Sequence, residues 1–401
     1  MLGSLRSSCI DLVASSKFFN DRVKLGNLSR PLSDKWFRSG GGEERGGGGA
    51  AVHGRVKQLC ESGIKKVPNK YILPASERPR VNGRRDTAAQ NLSLKLPVVD
   101  LSLLHSKDHA SVIQSLKKAC EEYGFFQIVN HGIPIKVIRD MVDVMRRFFE
   151  LPFEERSKYM SSDIRNPVRY GTSFNQMNDK VFSWRDFLKL SCHPISSALP
   201  YWPSSPADLR DKALLYVKEM KSLFMDLMEA ILETLGVNRA VLEEFRTGSH
   251  ILVANCYPVC PEPGLTLGMP PHSDYGFLTL LLQDDVEGLQ VQHGDEWVTV
   301  EPVPDSFVVN IGDHFESVLH RVLVNPAKLR ISVASLHSLP IERVVGPSPD
   351  LVDDDDNPRR YMDTDFASFL DYIASCESKH KNFLESRRLT PGKAHPDCQP
   401  I

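Results

Sequence analysis

Apolar positions along this chain recur with two different periods, and the period changes near residue 250. In "SVIQSLKKACEEYG", Val112, Ile113, Leu116, Ala119, Cys120 and Tyr123 fall at helical spacing, and Gly124 stands where a C-cap glycine belongs. "IPIKVIRDMVDVMRRFFELP" repeats the pattern through Ile138, Met141, Met145 and Phe148 and stops before Pro152. A third helix is predicted after "WPSSPAD", with Ser205 as N-cap, Pro206 at the first helical position and Asp208 at the positive end. It runs from Leu209 through Phe224 and Ile231 to Gly236. Between these helices, "LPVVDLS" and "FFQIVNHG" read as short strands.

Beyond residue 250, short β-rich runs follow at close intervals: "ILVANCY", "FLTLLL", "GLQVQ", "WVTV", "FVVNI", "VLHRVLV" and "RISVASL". Gly, Pro and Asp punctuate them with no helix-length segment between, which predicts an antiparallel sandwich or barrel. A helix returns at "TDFASFLDYIASC". The expected division is a disordered leader over 1–52, a helix-rich part over 53–245, a β-rich part over 250–340 and a C-terminal helix and tail over 341–401. "DDDD" at 353–356 reads as a solvated loop.

Composition narrows the classes. With 41% hydrophobic and 25% charged residues the chain is an ordinary globular protein, and a formal net charge of −2 supplies no field to draw nucleic acid or an anionic membrane. No apolar run reaches the length of a membrane span. The eight cysteines form no C-x-x-C pair, which argues against zinc and disulfide frameworks and for a reducing, cytoplasmic setting. The leader ends in "SGGGEERGGGGAA", whose glycines are costly to order, and it lacks the Lys-Ser/Thr ending of a phosphate loop. Organelle targeting is the alternative reading, and Asp11, Asp21, Asp34, Glu43 and Glu44 count against it.

Candidate chemistry centres on "PPHSDYGFLTLLLQD". In a strand, residues two apart share a face, so His272 and Asp274 aim at one point at the rim of an apolar run. "VLHRVLV" carries His320 on a second strand. Two imidazoles and a carboxylate suit a divalent first-row metal and leave coordination positions open, as in the facial triad of non-haem Fe(II) oxygenases. Any one histidine alone reads better as a packed or surface residue than as a ligand. Ten residues on, Arg330 and Ser332 share a strand face and offer a guanidinium fork and a hydroxyl to a carboxylate. Asn255 and Tyr257 share a face of "ILVANCY" within reach of the same cavity; a surface ion pair for Arg330 and core packing for Tyr257 are the bland alternatives.

The motifs "LPVVDLS", "EEYGFFQIVNHGIP", "NCYPVCPEP", "PPHSDYGFLTLLLQD", "GLQVQHGDEWVTVEPVPDSFVVNIGD", "HRVLVN" and "RISVASL" stand in the order found in plant 2-oxoglutarate- and Fe(II)-dependent dioxygenases. Through them the chain resembles that family, which includes anthocyanidin synthase and flavanone 3-hydroxylase. The resemblance implies an α+β fold: a double-stranded β-helix (jelly-roll) core with flanking helices, a long one packed on the barrel. It implies that His272, Asp274 and His320 hold Fe(2+), and that Arg330, Ser332 and Tyr257, beside Asn255, hold the C5 carboxylate of 2-oxoglutarate. The reaction implied is hydroxylation or desaturation of a small phenolic, flavonoid or hormone by O2, with release of succinate and CO2 and with ascorbate as a helper. A monomer with no nucleic-acid or membrane partner is expected.

Two departures from the family pattern bear on these expectations. "VVNIGDHFESVLHRV" lacks about eight residues of turn and strand before His320 relative to the family pattern. An even loss preserves which face His320 occupies, but a slipped strand would displace it by about 3.3 Å per residue. The alternative function is therefore an impaired homologue or splice form acting as a binding or regulatory module; His314, inside the shortened turn, is a less favoured substitute imidazole for a displaced His320. Second, Leu336 stands six residues after Arg330, where flavonoid-acting relatives carry Phe. Tyr170, Phe174 and Phe187, from "RYGTSF" and "WRDFLKL", are expected either to wall the substrate pocket or to pack the core. Cys256 and Cys260 read as small buried hydrophobes.

Overall fold

A computed structural model describes residues 55–79, 96–173, 178–234, 242–274, 276–312, 318–346, 359–375 and 383–389. The leader, the "DDDD" loop, Phe174 and His314 lie outside the described residues. The longer helices are α2 (His109–Glu122), α3 (Ile135–Glu150), α4 (Leu209–Thr234) and α5 (Phe366–Ser375), preceded by a short α1 (Val56–Glu61). Among the described residues there are twelve strands in chain order. They are β1 (Val98–Asp100), β2 (Phe125–Val129), β3 (Val168–Gly171), β4 (Asp186–Ser191), β5 (His250–Tyr257) and β6 (Met269–His272). The rest are β7 (Leu278–Gln283), β8 (Leu289–His293), β9 (Glu296–Thr299), β10 (Phe307–Ile311), β11 (His320–Val322) and β12 (Arg330–His337).

An eight-stranded sheet runs β1-β2-β10-β7-β12-β5-β4-β3, and a four-stranded sheet runs β6-β11-β8-β9. Every pairing is antiparallel except β1 with β2. Helices α2, α3 and α4 pack against the large sheet. Helix α3 presents Val137, Ile138, Met141, Val144, Met145, Phe148 and Phe149 as one buried stripe, as the 3.6-residue spacing predicts. Helix α4 buries Leu209, Ala213, Tyr216, Met220, Phe224, Leu227 and Ile231 against α2, α3 and the sheet. It starts at Leu209 rather than Pro206, because the segment before it forms a turn in which the Leu209 N–H reaches the Pro206 carbonyl. Asp208 then stands just outside the first turn, gripped by Arg147 at 2.8 and 2.9 Å and by Lys212 at 3.0 Å.

The first half contributes more than helices. Strands β1 to β4 continue the large sheet on both flanks, so the sheet is built from residues on either side of position 250. The short segments "RYGTSF" and "WRDFLKL" become the hairpin-paired β3 and β4. At the start of β4, Asp186 is buried and accepts from the N–H groups of Val56 (3.1 Å) and Lys57 (3.2 Å) and from Tyr170 and Thr172 (2.8 Å each). One carboxylate thus ties α1 to the far edge of the sheet, and burial raises its pKa despite those four donors.

Candidate active site

The two sheets enclose a cavity of about 180 Å³ lined by residues from β4, β5, β6, β7, β10, β11, β12 and α5. His272 ends β6, and β11 lies beside it so that His320 stands directly opposite His272 across the antiparallel pair. Asp274 follows two residues beyond, past the end of the strand. The Nε2 atoms of both histidines lie 3.7 Å from Asp274 Oδ1, and ligand atoms from the three side chains all fall within 4.8 Å of one another. Both histidines are buried and Asp274 nearly so.

Neighbouring groups fix these side chains. The Nδ1 atoms of His272 and His320 face the carbonyls of Pro270 (2.8 Å) and Val318 (3.3 Å), which turns each Nε2 toward the common point. Asn310, on β10, donates from Nδ2 to Asp274 Oδ2 at 2.8 Å and leaves the Oδ1 side toward the histidines. Gly312 lets the backbone close over this loop: a Cβ there would stand 2.3 Å from the Gly276 carbonyl oxygen and 3.1 Å from that of Asp274. Two imidazoles and a carboxylate converging from separate segments make a donor set that fits a divalent iron and leaves part of its coordination sphere to other ligands.

The shortening before His320 therefore does not displace it. Residues 313–317 lie outside the described residues, but β11 resumes with His320 in register with both His272 and Val291. The strand is only three residues long and its register shifts between His320 and Val322.

At the other end of the cavity, Arg330 is 1% exposed. Its Nε donates to the Val286 carbonyl (3.0 Å) and its Nη2 to Gln283 Oε1 (2.9 Å), while Nη1 is buried with no hydrogen-bond partner among the described residues. The guanidinium lies over the Tyr257 ring at 5.2 Å. Across the sheet, Arg330 pairs with Tyr257 and Ser332 with Asn255, so all four predicted residues line one cavity wall. A buried cation with a donor left over fits a carboxylate ligand, because an unmatched buried N–H carries a desolvation penalty that such a ligand removes. Asn255 is already engaged: its Oδ1 accepts from Arg185 at 2.7 Å.

The expected pocket wall is corrected in one place. Phe187 and Leu336 line the cavity, but Tyr170 does not. Tyr170 pairs with Leu188 on the opposite face, donates to Asp186, and packs edge-on against Phe148. Phe366, Phe369, Leu370 and Ile373 of α5 line the pocket as well. Asn310, Gln283 and Arg185 also belong to the site. Asn310 and Gln283 sit inside "FVVNI" and "FLTLLLQ", where a polar residue ending an otherwise apolar run was the available signal. Cys256 and Cys260 are buried thiols whose pKa burial pushes up, to about 11 for Cys260, as expected of inert core cysteines.

Two family models match the chain: the N-terminal region of non-haem dioxygenases in morphine synthesis over residues 96–209, and the 2OG-Fe(II) oxygenase superfamily over residues 248–338. The chain is a 2-oxoglutarate- and Fe(II)-dependent dioxygenase. It is 39% identical over 315 residues to DMR6-LIKE OXYGENASE 1 of Arabidopsis thaliana, covering 76% of this chain and 88% of that protein. It is 41% identical over 331 residues to flavanone 3-dioxygenase 2 of Oryza sativa subsp. japonica, covering 80% and 93%. Among solved structures, JOX2 in complex with 2OG, Fe and JA superposes with a TM-score of 0.73 at 32% identity, covering 84% of this chain and 98% of that one. The dioxygenase takes Fe(II) and 2-oxoglutarate and carries the jelly-roll fold of this family. No described helix is long and apolar enough to cross a membrane.

Proposed function

We propose that this dioxygenase hydroxylates or desaturates a small plant metabolite, a phenolic, flavonoid or hormone, with His272, Asp274 and His320 holding iron. Arg330, Ser332 and Tyr257 hold the C5 carboxylate of 2-oxoglutarate in this reading. The observation that carries it is the convergence of three ligand atoms within 4.8 Å beside a buried guanidinium with one nitrogen to spare. Similar proteins are named for flavanone 3-dioxygenation and feruloyl CoA ortho-hydroxylation, and JOX2 binds JA, which supports a small organic substrate.

When bound, Fe(II) supplies the redox centre that couples decarboxylation of 2-oxoglutarate by O2 to oxidation of the substrate. The chain's own residues orient and shield. Arg330 neutralises the distal carboxylate, and its own placement is fixed by Gln283 and Val286. Gly288 leaves it room, since a Cβ there would stand 3.1 Å from Arg330 Cδ. Asn310 holds Asp274 in one rotamer, which keeps the ligand geometry ready before iron arrives. Phe125, Phe187, Leu281 and Leu336 exclude water from the space between.

The test is conversion of 2-oxoglutarate to succinate by purified protein with Fe(II) and ascorbate, followed over a metabolite panel. The expected outcome is slow succinate release without substrate, abolished by a chelator, and stimulated by one class of compound. Absence of both turnover and 2-oxoglutarate binding in the presence of iron defeats the reading.

A further inference from the structure

Arg185, immediately before β4, and Phe187 and Lys189 on it line the cavity at alternate positions. Arg185 stands at the Arg330 end, bound to Asn255 and to Met269 Sδ at 3.0 Å. Lys189 lies four residues on, about 13 Å away along the strand. Its partners across β5 and β12 are Val253 and then Ala334, which places it at the substrate end, near Leu336.

Lys189 is an uncomfortable residue for this place. It pairs directly across the β3–β4 hairpin with Arg169, which is 4% exposed, and like charges directly opposite destabilise a sheet. Burial and Arg169 together lower the Lys189 pKa to about 8. Asp163 opposes that shift from an exposed loop. The ammonium donates to the carbonyls of Ile164 (2.7 Å) and Asn166 (2.9 Å). An ammonium has three protons, so one remains after those two bonds.

The charges of the lining residues point the same way. Among the described residues of the cavity wall, the cations are Arg185, Lys189 and Arg330 and the only carboxylate is Asp274. Fe(II) and the 2-oxoglutarate dianion cancel, and Arg330 cancels Asp274. Arg185 has Asp179 and Asp186 acting on it from outside the cavity. Lys189 has Arg169 acting against its charge and Asp163 for it, and it remains the lining cation at the substrate end of the cavity.

We propose that Lys189 is the substrate-binding cation and that the substrate is an organic acid, whose carboxylate takes the third N–H of the ammonium. The proposal rests on the dioxygenase reading above and selects, among small metabolites, anionic ones over neutral flavanones. The carboxylate lies at Lys189 and the ring beside Phe187, which Arg169 and Arg185 flank at 5.5 and 5.1 Å. The oxidised carbon then points toward the three metal ligands.

The experiment uses the full chain with Fe(II), 2-oxoglutarate and ascorbate, and a panel of aromatic and alicyclic carboxylic acids paired with their methyl esters, with flavanones as neutral probes. Substrate-stimulated succinate release is measured for the unaltered protein, Lys189→Met and Lys189→Arg. The expected result is that at least one acid outperforms its ester by about 10-fold or more in kcat/KM, the worth of a charge-assisted hydrogen bond. Lys189→Met should lose that preference through KM, and Lys189→Arg should retain most of it. Equal or better use of esters or flavanones by the unaltered protein overturns the proposal without needing any variant to fold. An acid KM unmoved in a Lys189→Met protein that still binds 2-oxoglutarate overturns it too. Absence of substrate-free succinate release in the unaltered protein instead counts against the dioxygenase reading.

Discussion

Among the described residues, two histidine pairs face each other directly across antiparallel strands: His272 with His320, and His250 with His337. Their ring centroids lie 4.1 and 4.0 Å apart, so distance does not distinguish them. Their surroundings do. The first pair has Asp274 in reach of both Nε2 atoms and opens on the cavity. The second is stacked, with His337 lying flat on Phe224 at 4.2 Å, and both rings are buried behind α4. Burial and the nearby Lys221 lower both pKa values, to about 3 for His250. Both nitrogens of His337 lack a hydrogen-bond partner among the described residues. One pair is therefore a donor set and the other behaves as a pair of neutral aromatic rings. A carboxylate within reach of both rings, rather than two imidazoles, marks out the proposed metal site.

Removing that carboxylate is the strongest way to break the contrast. Asp274→Ala should cut iron retention and turnover by more than about 100-fold, beyond the 10- to 100-fold typical of losing an outer partner; metal content after dialysis and succinate release measure it. Arg330→Ala removes the buried cation at the far end of the cavity that the first pair opens on. Truncating a buried charged partner costs about 2–5 kcal/mol, so the KM for 2-oxoglutarate should rise about 30-fold or more while iron binding persists. Asn310→Ala leaves all three ligands in place but frees Asp274 to rotate, and iron affinity should fall about 10- to 100-fold. An unchanged iron titration would show that Asp274 is held by other means.

The smallest effect is expected at the second pair. Above pH 6.5 neither folded nor unfolded His337 binds a proton. Below it the unfolded chain does and the buried ring does not, so each pH unit of acidification costs about 1.4 kcal/mol per histidine. His337→Phe keeps a ring on Phe224 and removes one such group. Stability near pH 7 should change by less than about 1 kcal/mol, and the loss between pH 6.5 and 5 should shrink by about 2 kcal/mol. Urea midpoints at the two pH values read this directly, and an unaltered acid slope would mean that His337 is not the group responsible.

Much of the site was legible because its residues obey simple spacing. His272 and Asp274 lie two apart, Arg330 and Ser332 share a strand face, and the family motifs bracket them in order. The strand signal of β7 and β10 was clear because both are mostly apolar and largely buried. Strands β3 and β4 were harder to see: Arg169, Arg185 and Lys189 put charge on a buried face, so the alternation that marks a strand is masked. For Tyr170 aromatic character left a pocket wall and core packing both open, and its register with Leu188, which turns it to the other face, decides for packing. The fate of His320 could not be read from the shortened segment, because pairing with β6 and β8 is a long-range property that counting residues does not reveal.

The placing of β2 and β4 has a practical consequence. They flank the strands of the second half, β2 beside β10 and β4 beside β5, and β10 carries the asparagine that steadies Asp274. A fragment cut to begin at residue 248 would expose two long raw margins of backbone N–H and carbonyl groups and invite self-association. The second half is thus not a portable module; strands of the first half complete its sheet, and any engineering of this enzyme must carry both.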